Sequence, residues 1–162
     1  MPKVKVIDIR TKEQFEKYVF RVKDGANILP YFYSQNQWQV ILIEQLRPAV
    51  KARTLEAPGG ILEGEVKESM ARELKEETGI QVDPEKIEIV FKEYALPQLL
   101  DNYVYGGIVE LENYQDTIPS FPLFVIPLSH VLRRRNILAV CFDLWTSRLL
   151  DEVAKKVNLI PI

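Results

Sequence analysis

The stretch RELKEETGI, residues 72–80, constrains the fold more than any other part of this sequence. It indicates the last two turns of a helix, predicted over residues 67–78, and Gly79 stands where a left-handed residue commonly ends a helix. Three glutamates, Glu73, Glu76 and Glu77, crowd the helix end whose dipole is negative and favours cations. These carboxylates therefore need a partner of opposite charge.

The positions of the glutamates around the predicted helix are also informative. At 100° per residue, Met70 and Leu74 form an apolar stripe, and Glu73 and Glu77 fall beside it. Glu76 lies a little further round the helix. A solvated charged face would lie opposite the apolar stripe. A carboxylate at the margin of a core is unfavourable unless it is paired or bound to a metal.

A glycine-containing loop, APGG at residues 57–60, precedes this helix. Glycines let backbone carbonyls approach a ligand or an ion closely. The loop and the carboxylates together predict a divalent-metal site suited to phosphate chemistry. A second interpretation stays open, in which the helix is solvated and stabilised by i,i+4 pairs such as Glu68–Arg72 and Arg72–Glu76.

Composition excludes several other kinds of site. The chain has 162 residues and a formal net charge of −2, so we expect one globular domain over residues 1–162 without the basic field of a nucleic-acid-binding protein. One Cys and one His cannot build the usual zinc sites within one chain. The first ten residues alternate between apolar and polar side chains, unlike the apolar run of a signal peptide. No apolar stretch is long enough to span a membrane, and we expect a cytoplasmic protein.

The remaining pattern favours a mixed sheet with helices packed on it, an α+β class. Asp24-Gly25 is a hairpin signal between two of the predicted strands. The predicted strands cover residues 3–9, 15–22, 26–33, 38–44, 86–96, 102–111 and 121–128, and residues 54–60 are predicted as a short strand running into a loop. Two more helices are predicted near 130–135 and 138–157.

At these residues the chain resembles the Nudix family of pyrophosphohydrolases, whose motif is G-x5-E-x7-R-E-U-x-E-E-x-G-U with U a bulky aliphatic residue. The second half of the motif is matched throughout, from Arg72 to Ile80. In the first half, six residues separate Glu65 from Arg72 where the family has seven, so the loop is shorter by one or two residues. The region similar to the motif is residues 59–80.

Other segments resemble the ADP-ribose pyrophosphatase-like branch of that family. QLRP at residues 45–48 is similar to its QYRP segment, EAPGG at 56–60 to its E-x-P-A-G loop, and LPQLLDNY at 96–103 to its loop with an acidic residue. The resemblance implies a Nudix fold, a mixed sheet sandwiched between helices. It also implies Mg²⁺, or Mn²⁺, as cofactor and a homodimer that can use the strands within residues 3–33.

The resemblance also implies roles for individual residues. The implied metal ligands are Glu73, Glu76, Glu77 and the carbonyl of Gly59. The implied catalytic residues are Glu73, Glu76, Arg72 and Asp101. Of these, Arg72 would have a structural role, in which it pairs with acids of its own helix and of the loop. Asp101 would be a mobile-loop acid or base. The implied substrate-binding residues are Arg47, Glu56 and Gly60.

The resemblance implies hydrolysis of ADP-ribose or a related nucleotide sugar to a nucleoside monophosphate and a sugar phosphate. Two alternatives remain open at the level of the sequence. One is hydrolysis of nucleoside triphosphates or dinucleoside polyphosphates, because the motif does not distinguish these substrates. The other is a non-catalytic Nudix domain that senses a nucleotide, which the shortened loop would favour. We expect a small-molecule nucleotide as partner and neither a membrane nor a nucleic acid.

Overall fold

The computed structural model describes residues 3–7, 14–49, 51–96, 100–114, 120–134 and 143–159. Within these ranges the chain forms nine β-strands, three α-helices and one 3₁₀ turn at Pro84–Lys86. The strands are β1 (Lys3–Ile7), β2 (Gln14–Tyr18), β3 (Gly25–Ser34), β4 (Gln37–Arg47), β5 (Ala52–Glu56), β6 (Gly59–Ile61), β7 (Glu88–Tyr94), β8 (Tyr103–Glu110) and β9 (Leu123–Pro127). The helices are α1 (Val66–Thr78), α2 (Leu128–Arg134) and α3 (Leu144–Lys156).

Seven of these strands form one mixed sheet. Its main path runs β5-β4-β3-β8-β7, while β6 pairs with β3 and β9 pairs with β4. Strands β3 and β8 are parallel, and the other pairings between named strands of this sheet are antiparallel. A parallel pair needs a long crossover connection, and the chain between β3 and β8 contains α1. The α+β class expected from the sequence is confirmed.

Strand β3 is buried on both faces because its side chains alternate between two cores. On one face, Ala26 and Ile28 pack with Met70 and Leu74 of α1. This is the apolar stripe that the sequence places beside the glutamates. The burial of that stripe therefore fixes which side of α1 faces the sheet, and with it the direction of the carboxylates.

The opposite face of the sheet is covered by the two C-terminal helices. Leu29 of β3 packs in a second core with Leu149 and Val153 of α3 and Leu128 of α2. All four side chains are fully buried. The sheet is thus held between α1 on one side and α2 with α3 on the other.

The hairpin predicted at Asp24-Gly25 is wrong. Strand β2 pairs with β1 in a separate two-stranded sheet, and Gly25 is the first residue of β3. The polar groups of Asp24 serve tertiary contacts: its Oδ1 accepts the N–H of Tyr103 at 2.8 Å, and its carbonyl accepts the N–H of Leu62 at 2.8 Å. An Asp-Gly pair is a local turn signal, and here contacts with distant residues decide its conformation.

None of the three helices in the described ranges has the length and apolarity needed to cross a membrane.

Candidate active site at the glycine loop

Helix α1 ends where the sequence predicts. Gly79 adopts a left-handed conformation with φ 76°, and its N–H donates to the carbonyl of Lys75 at 2.9 Å. Near the start of α1, Ser69 Oγ accepts the N–H of Glu63 at 3.0 Å and donates to its carbonyl at 2.6 Å. These bonds fix both the loop before α1 and the end of the helix, so the three glutamates occupy its last two turns.

Glu77 is the most buried of the three glutamates, with 8% of its surface exposed. Its Oε2 accepts the N–H of Gly59 at 2.9 Å, and its Oε1 accepts a hydrogen bond from Nε2 of Gln45 at 3.1 Å. Burial raises the pKa of Glu77 to about 7; the Gly59 hydrogen bond opposes this shift, and the charge of Glu73 adds to it. The carboxylate is therefore held against the glycine loop in surroundings that favour a bound cation.

Glu73 lies against the next residue, Gly60; both glycines belong to strand β6, which pairs with β3 where the sequence predicted a loop. A Cβ added to Gly60 would be 2.5 Å from Cδ of Glu73 and 2.6 Å from both of its carboxylate oxygens. Only a glycine permits this approach, because real Cβ atoms are not found so close to another heavy atom. Gly59 and Gly60 thus each meet one carboxylate of α1.

Glu76 points away from the core and joins the charge cluster around Arg72. The Arg72 guanidinium contacts Glu73 at 2.7 Å and Glu76 at 3.1 Å, and Nη2 donates to the carbonyl of Ile61 at 3.3 Å. Nη2 of Arg72 also lies 3.9 Å from Oε2 of Glu63, which is in the loop before α1. The structural role expected for Arg72 agrees with these contacts, which join α1 to the loop before it.

The loop acid near Arg72 is not the one that the motif spacing suggested. Glu65, the candidate for the first glutamate of the motif, is the residue before α1, and its side chain makes no capping hydrogen bond. The ion pair from the loop comes from Glu63, nine positions before Arg72. In the shortened loop, Glu63 therefore takes the position beside the arginine.

Arg47 and Glu56 face each other on strands β4 and β5. Arg47 Nε donates to Glu56 Oε1 at 2.8 Å, and Nη2 donates to Oε2, so the ion pair is bidentate. Glu56 is 3% exposed and also accepts a hydrogen bond from Thr54 Oγ1. Burial favours a raised pKa of Glu56, but the hydrogen bonds from Arg47 and Thr54 outweigh it and the pKa is lowered. The Arg47 side chain keeps half of its surface exposed, at 51%.

The N-terminal turn of α3 also contacts this region, through residues that were not predicted from the sequence as part of the site. Asp143 caps α3 by accepting the N–H of Thr146 at 2.5 Å, and burial raises the pKa of Asp143, with the charge of Glu56 adding to the shift. Thr146 Oγ1 accepts the N–H of Ala57 at 2.8 Å. An Asp three residues before a Thr is an N-cap signal, but nothing in the sequence indicates its contact with the glycine loop.

Asp101 is not brought together with the carboxylates of α1. It lies in the exposed turn before β8, where its carboxylate is 3.6 Å from Nε of Arg21 and its N–H donates to the carbonyl of Phe20 at 3.1 Å. Residues 97–99 of its predicted loop lie outside the described ranges. A catalytic role for Asp101 stays a prediction.

The carboxylate oxygens of Glu73 and Glu77 are of the kind that a hard divalent cation prefers, whereas the group of Gly59 that meets Glu77 is its N–H. Glu73 and Glu77 both lie against the loop, while Glu76 is turned towards Arg72. Among the residues that the structure describes, no three acidic, His or Cys side chains are already grouped around one point.

No model of a known protein family matches this chain, and no curated protein sequence matches it.

Proposed function

We propose that this protein is a divalent-metal-dependent hydrolase with a Nudix fold, which cleaves the pyrophosphate bond of a nucleoside diphosphate linked to another group. The observation that carries the proposal is the contact between the glycine loop and α1. Glu77 accepts the N–H of Gly59, and Glu73 fills the space that a side chain at position 60 would need. A solvated helix stabilised only by i,i+4 pairs needs neither contact.

The chain's own oxygens would hold Mg²⁺ or Mn²⁺ at Glu73, Glu76, Glu77 and the carbonyl of Gly59. When bound, the cation neutralises phosphate charge and lowers the pKa of a water molecule. Glu77 is fixed by Gly59 and Gln45, so its carboxylate is positioned before the ion binds. This preorganisation spares the site the cost of ordering a flexible side chain.

Glu76 is the carboxylate that can move a proton. Its side chain is 57% exposed, against 12% for Glu73, and its contact with Arg72 is a surface ion pair of small net energy. A water molecule can therefore reach Glu76, and a carboxylate at hydrogen-bonding distance removes the proton as the water attacks phosphorus. Arg72 keeps Glu73 in place during this step through the 2.7 Å ion pair.

Arg47 would bind the substrate phosphates from the neighbouring strands. The Glu56 carboxylate holds its guanidinium in a fixed plane, and the half that remains exposed can donate to phosphate oxygens in bidentate fashion. Hydrogen bonding to Glu56 raises the pKa of Arg47, so the positive charge is retained at every working pH. Since the Glu56 carboxylate balances the charge of Arg47, the exposed N–H donors of Arg47 are what the pair offers to a diphosphate.

The proposed substrate is ADP-ribose or a related nucleotide sugar, with AMP and ribose 5-phosphate as the products from ADP-ribose. The segments QLRP and EAPGG, which contain Arg47 and Glu56, are the features that favour this substrate class over triphosphates and dinucleoside polyphosphates. One observation favours a second candidate function, a non-catalytic nucleotide sensor: Glu73 and Glu76 are both paired with Arg72. A cytoplasmic location and a homodimer through residues 3–33 stay predictions.

A substrate panel tests the proposal. The purified chain is incubated with Mg²⁺ or Mn²⁺ and with ADP-ribose, other nucleotide sugars, nucleoside triphosphates and dinucleoside polyphosphates, and the products are separated by chromatography. Faster release of a nucleoside monophosphate from the nucleotide sugars is expected. Turnover of triphosphates alone would refute the substrate class. Nucleotide binding without turnover of any compound would favour the sensor.

A further inference from the structure

The segment of residues 57–59 connects the two layers of helices. The N–H of Ala57 donates to Thr146 Oγ1, in the first turn of α3, at 2.8 Å. Two positions later, the N–H of Gly59 donates to Glu77 Oε2 of α1 at 2.9 Å. Since α1 and α3 lie on opposite faces of the sheet, the segment is held from both sides within three residues.

The middle of the segment is held by the sheet itself. The carbonyl of Pro58 accepts the N–H of Ile28 of β3 at 2.8 Å, and proline has no N–H of its own. A Cβ at Gly59 would lie 2.7 Å from the carbonyl oxygen of Ala26, so the backbone here runs in close contact with β3. The nearest backbone donor before Gly59 is therefore the N–H of Ala57.

The bond between Ala57 and Thr146 is shielded from water. Thr146 is fully buried and Ala57 is 4% exposed. A buried N–H that loses its acceptor is strongly disfavoured, so the hydroxyl of Thr146 determines where this part of the backbone lies. The position of Thr146 is itself fixed, because its N–H donates to Asp143 Oδ1 at 2.5 Å in the cap of α3. The cap uses the backbone N–H, and the side-chain oxygen accepts from Ala57.

We propose that Thr146 is a positioning residue, which holds the Gly59 N–H against the Glu77 carboxylate and so keeps that carboxylate oriented for a divalent cation. It acts through the backbone of residues 57–59. Without the hydroxyl, the Ala57 N–H has to find another acceptor, and the movement of the segment displaces Gly59. The effect on cation binding rests on the proposed function, whereas the effect on Gly59 rests on the hydrogen bonds alone.

Two substitutions separate positioning from stability. Thr146→Val has nearly the same shape and helix propensity but no acceptor for the Ala57 N–H. Thr146→Ser keeps the acceptor and loses a buried methyl group. Both variants keep the backbone N–H that Asp143 accepts, and both should lower Tm, but only Thr146→Val loses the bond to the segment.

The first measurement is the Kd for Mn²⁺, from the electron paramagnetic resonance signal of free Mn²⁺, at a temperature where all three proteins are folded. Thr146→Val should raise this Kd about tenfold, which corresponds to the loss of about one hydrogen bond, and Thr146→Ser should stay within about twofold of the wild type. An unchanged Kd in Thr146→Val overturns the proposal. An equal rise in both variants also overturns it, because a loss of stability would then be sufficient.

The second measurement needs no metal and follows amide hydrogen exchange in a chelating buffer. The reference is the N–H of Gly79, which donates to the carbonyl of Lys75 at the end of α1. Thr146→Val should speed exchange at Gly59 about tenfold relative to Gly79, and Thr146→Ser should leave this ratio within about twofold. A wild type that binds no Mn²⁺ overturns the proposed function. The exchange ratio then decides the role of Thr146 on its own, and a ratio unchanged in Thr146→Val refutes it.

Discussion

Replacement of Glu77 by Gln should stabilise the metal-free protein at neutral and alkaline pH. The Glu77 carboxyl is 8% exposed, and its pKa is about 7 in the folded state against an ordinary value of 4.5. The folded state therefore binds the proton more tightly than the unfolded chain. A carboxyl of this kind leaves stability intact below about pH 4.5, and the free energy of unfolding falls as the pH rises from there to about 7.

The size of the effect follows from the two pKa values. With a shift of about 2.5 pKa units, ionisation of Glu77 costs about 1 kcal/mol at about pH 5 and about 3 kcal/mol at about pH 8. Gln removes the charge, and its amide oxygen can still accept the N–H of Gly59. The variant should then exceed the wild type in Tm by about 6–12 °C at about pH 8, for a chain of this length, with a smaller difference at about pH 5.

The assay is thermal and urea unfolding at both pH values, first in a chelating buffer and then in Mg²⁺. Added Mg²⁺ should stabilise the wild type, by about 3 kcal/mol at a hundredfold excess over its Kd, and should leave Glu77→Gln nearly unchanged. Glu76→Gln is the matched control, because Glu76 is exposed and should change stability by less than about 0.5 kcal/mol without metal. A Glu77→Gln variant that is less stable than the wild type at about pH 8 would refute this reasoning.

Three further substitutions test separate contacts. Gly60→Ala should displace Glu73 and lower kcat at least about tenfold in an ADP-ribose assay. Gly25→Ala is the control: its Cβ would meet its nearest atoms at 3.7 Å, so kcat should stay within about twofold of the wild-type value. Arg47→Lys should lose the bidentate geometry and raise KM about tenfold or more in steady-state kinetics, and an unchanged KM would remove Arg47 from the substrate site. Gly79→Ala should lower the free energy of unfolding in urea by about 1 kcal/mol because the left-handed cap disfavours a Cβ; no loss would contradict the role given to the cap.

Local patterns in the sequence predicted α1 well. The apolar spacing of Met70 and Leu74 indicated the buried side of the helix, and Gly79 indicated its end; both are confirmed. The same spacing placed Glu77 at the margin of the core, where it is buried, and Glu76 further round, where it is exposed. Helical geometry alone determines these features, so a single sequence suffices to predict them.

Contacts between distant segments were beyond the reach of local patterns. Asp24-Gly25 has the composition of a turn, but the Asp24 carboxylate accepts the N–H of Tyr103 and Gly25 is the first residue of β3. Asp143 is recognisable as a helix cap, yet Thr146, in the same turn, accepts the N–H of Ala57, 89 positions away in the sequence. No spacing rule covers such a separation.

The most direct test of the account is the initial rate of ADP-ribose hydrolysis by the wild type and Glu77→Gln, each with Mg²⁺ and with a chelator. The account predicts AMP and ribose 5-phosphate from the wild type with Mg²⁺, and a loss of at least about a hundredfold on chelation or substitution. Glu77→Gln that remains folded by its unfolding curve and hydrolyses ADP-ribose at the wild-type rate would contradict the assignment of the helix carboxylates as the metal site.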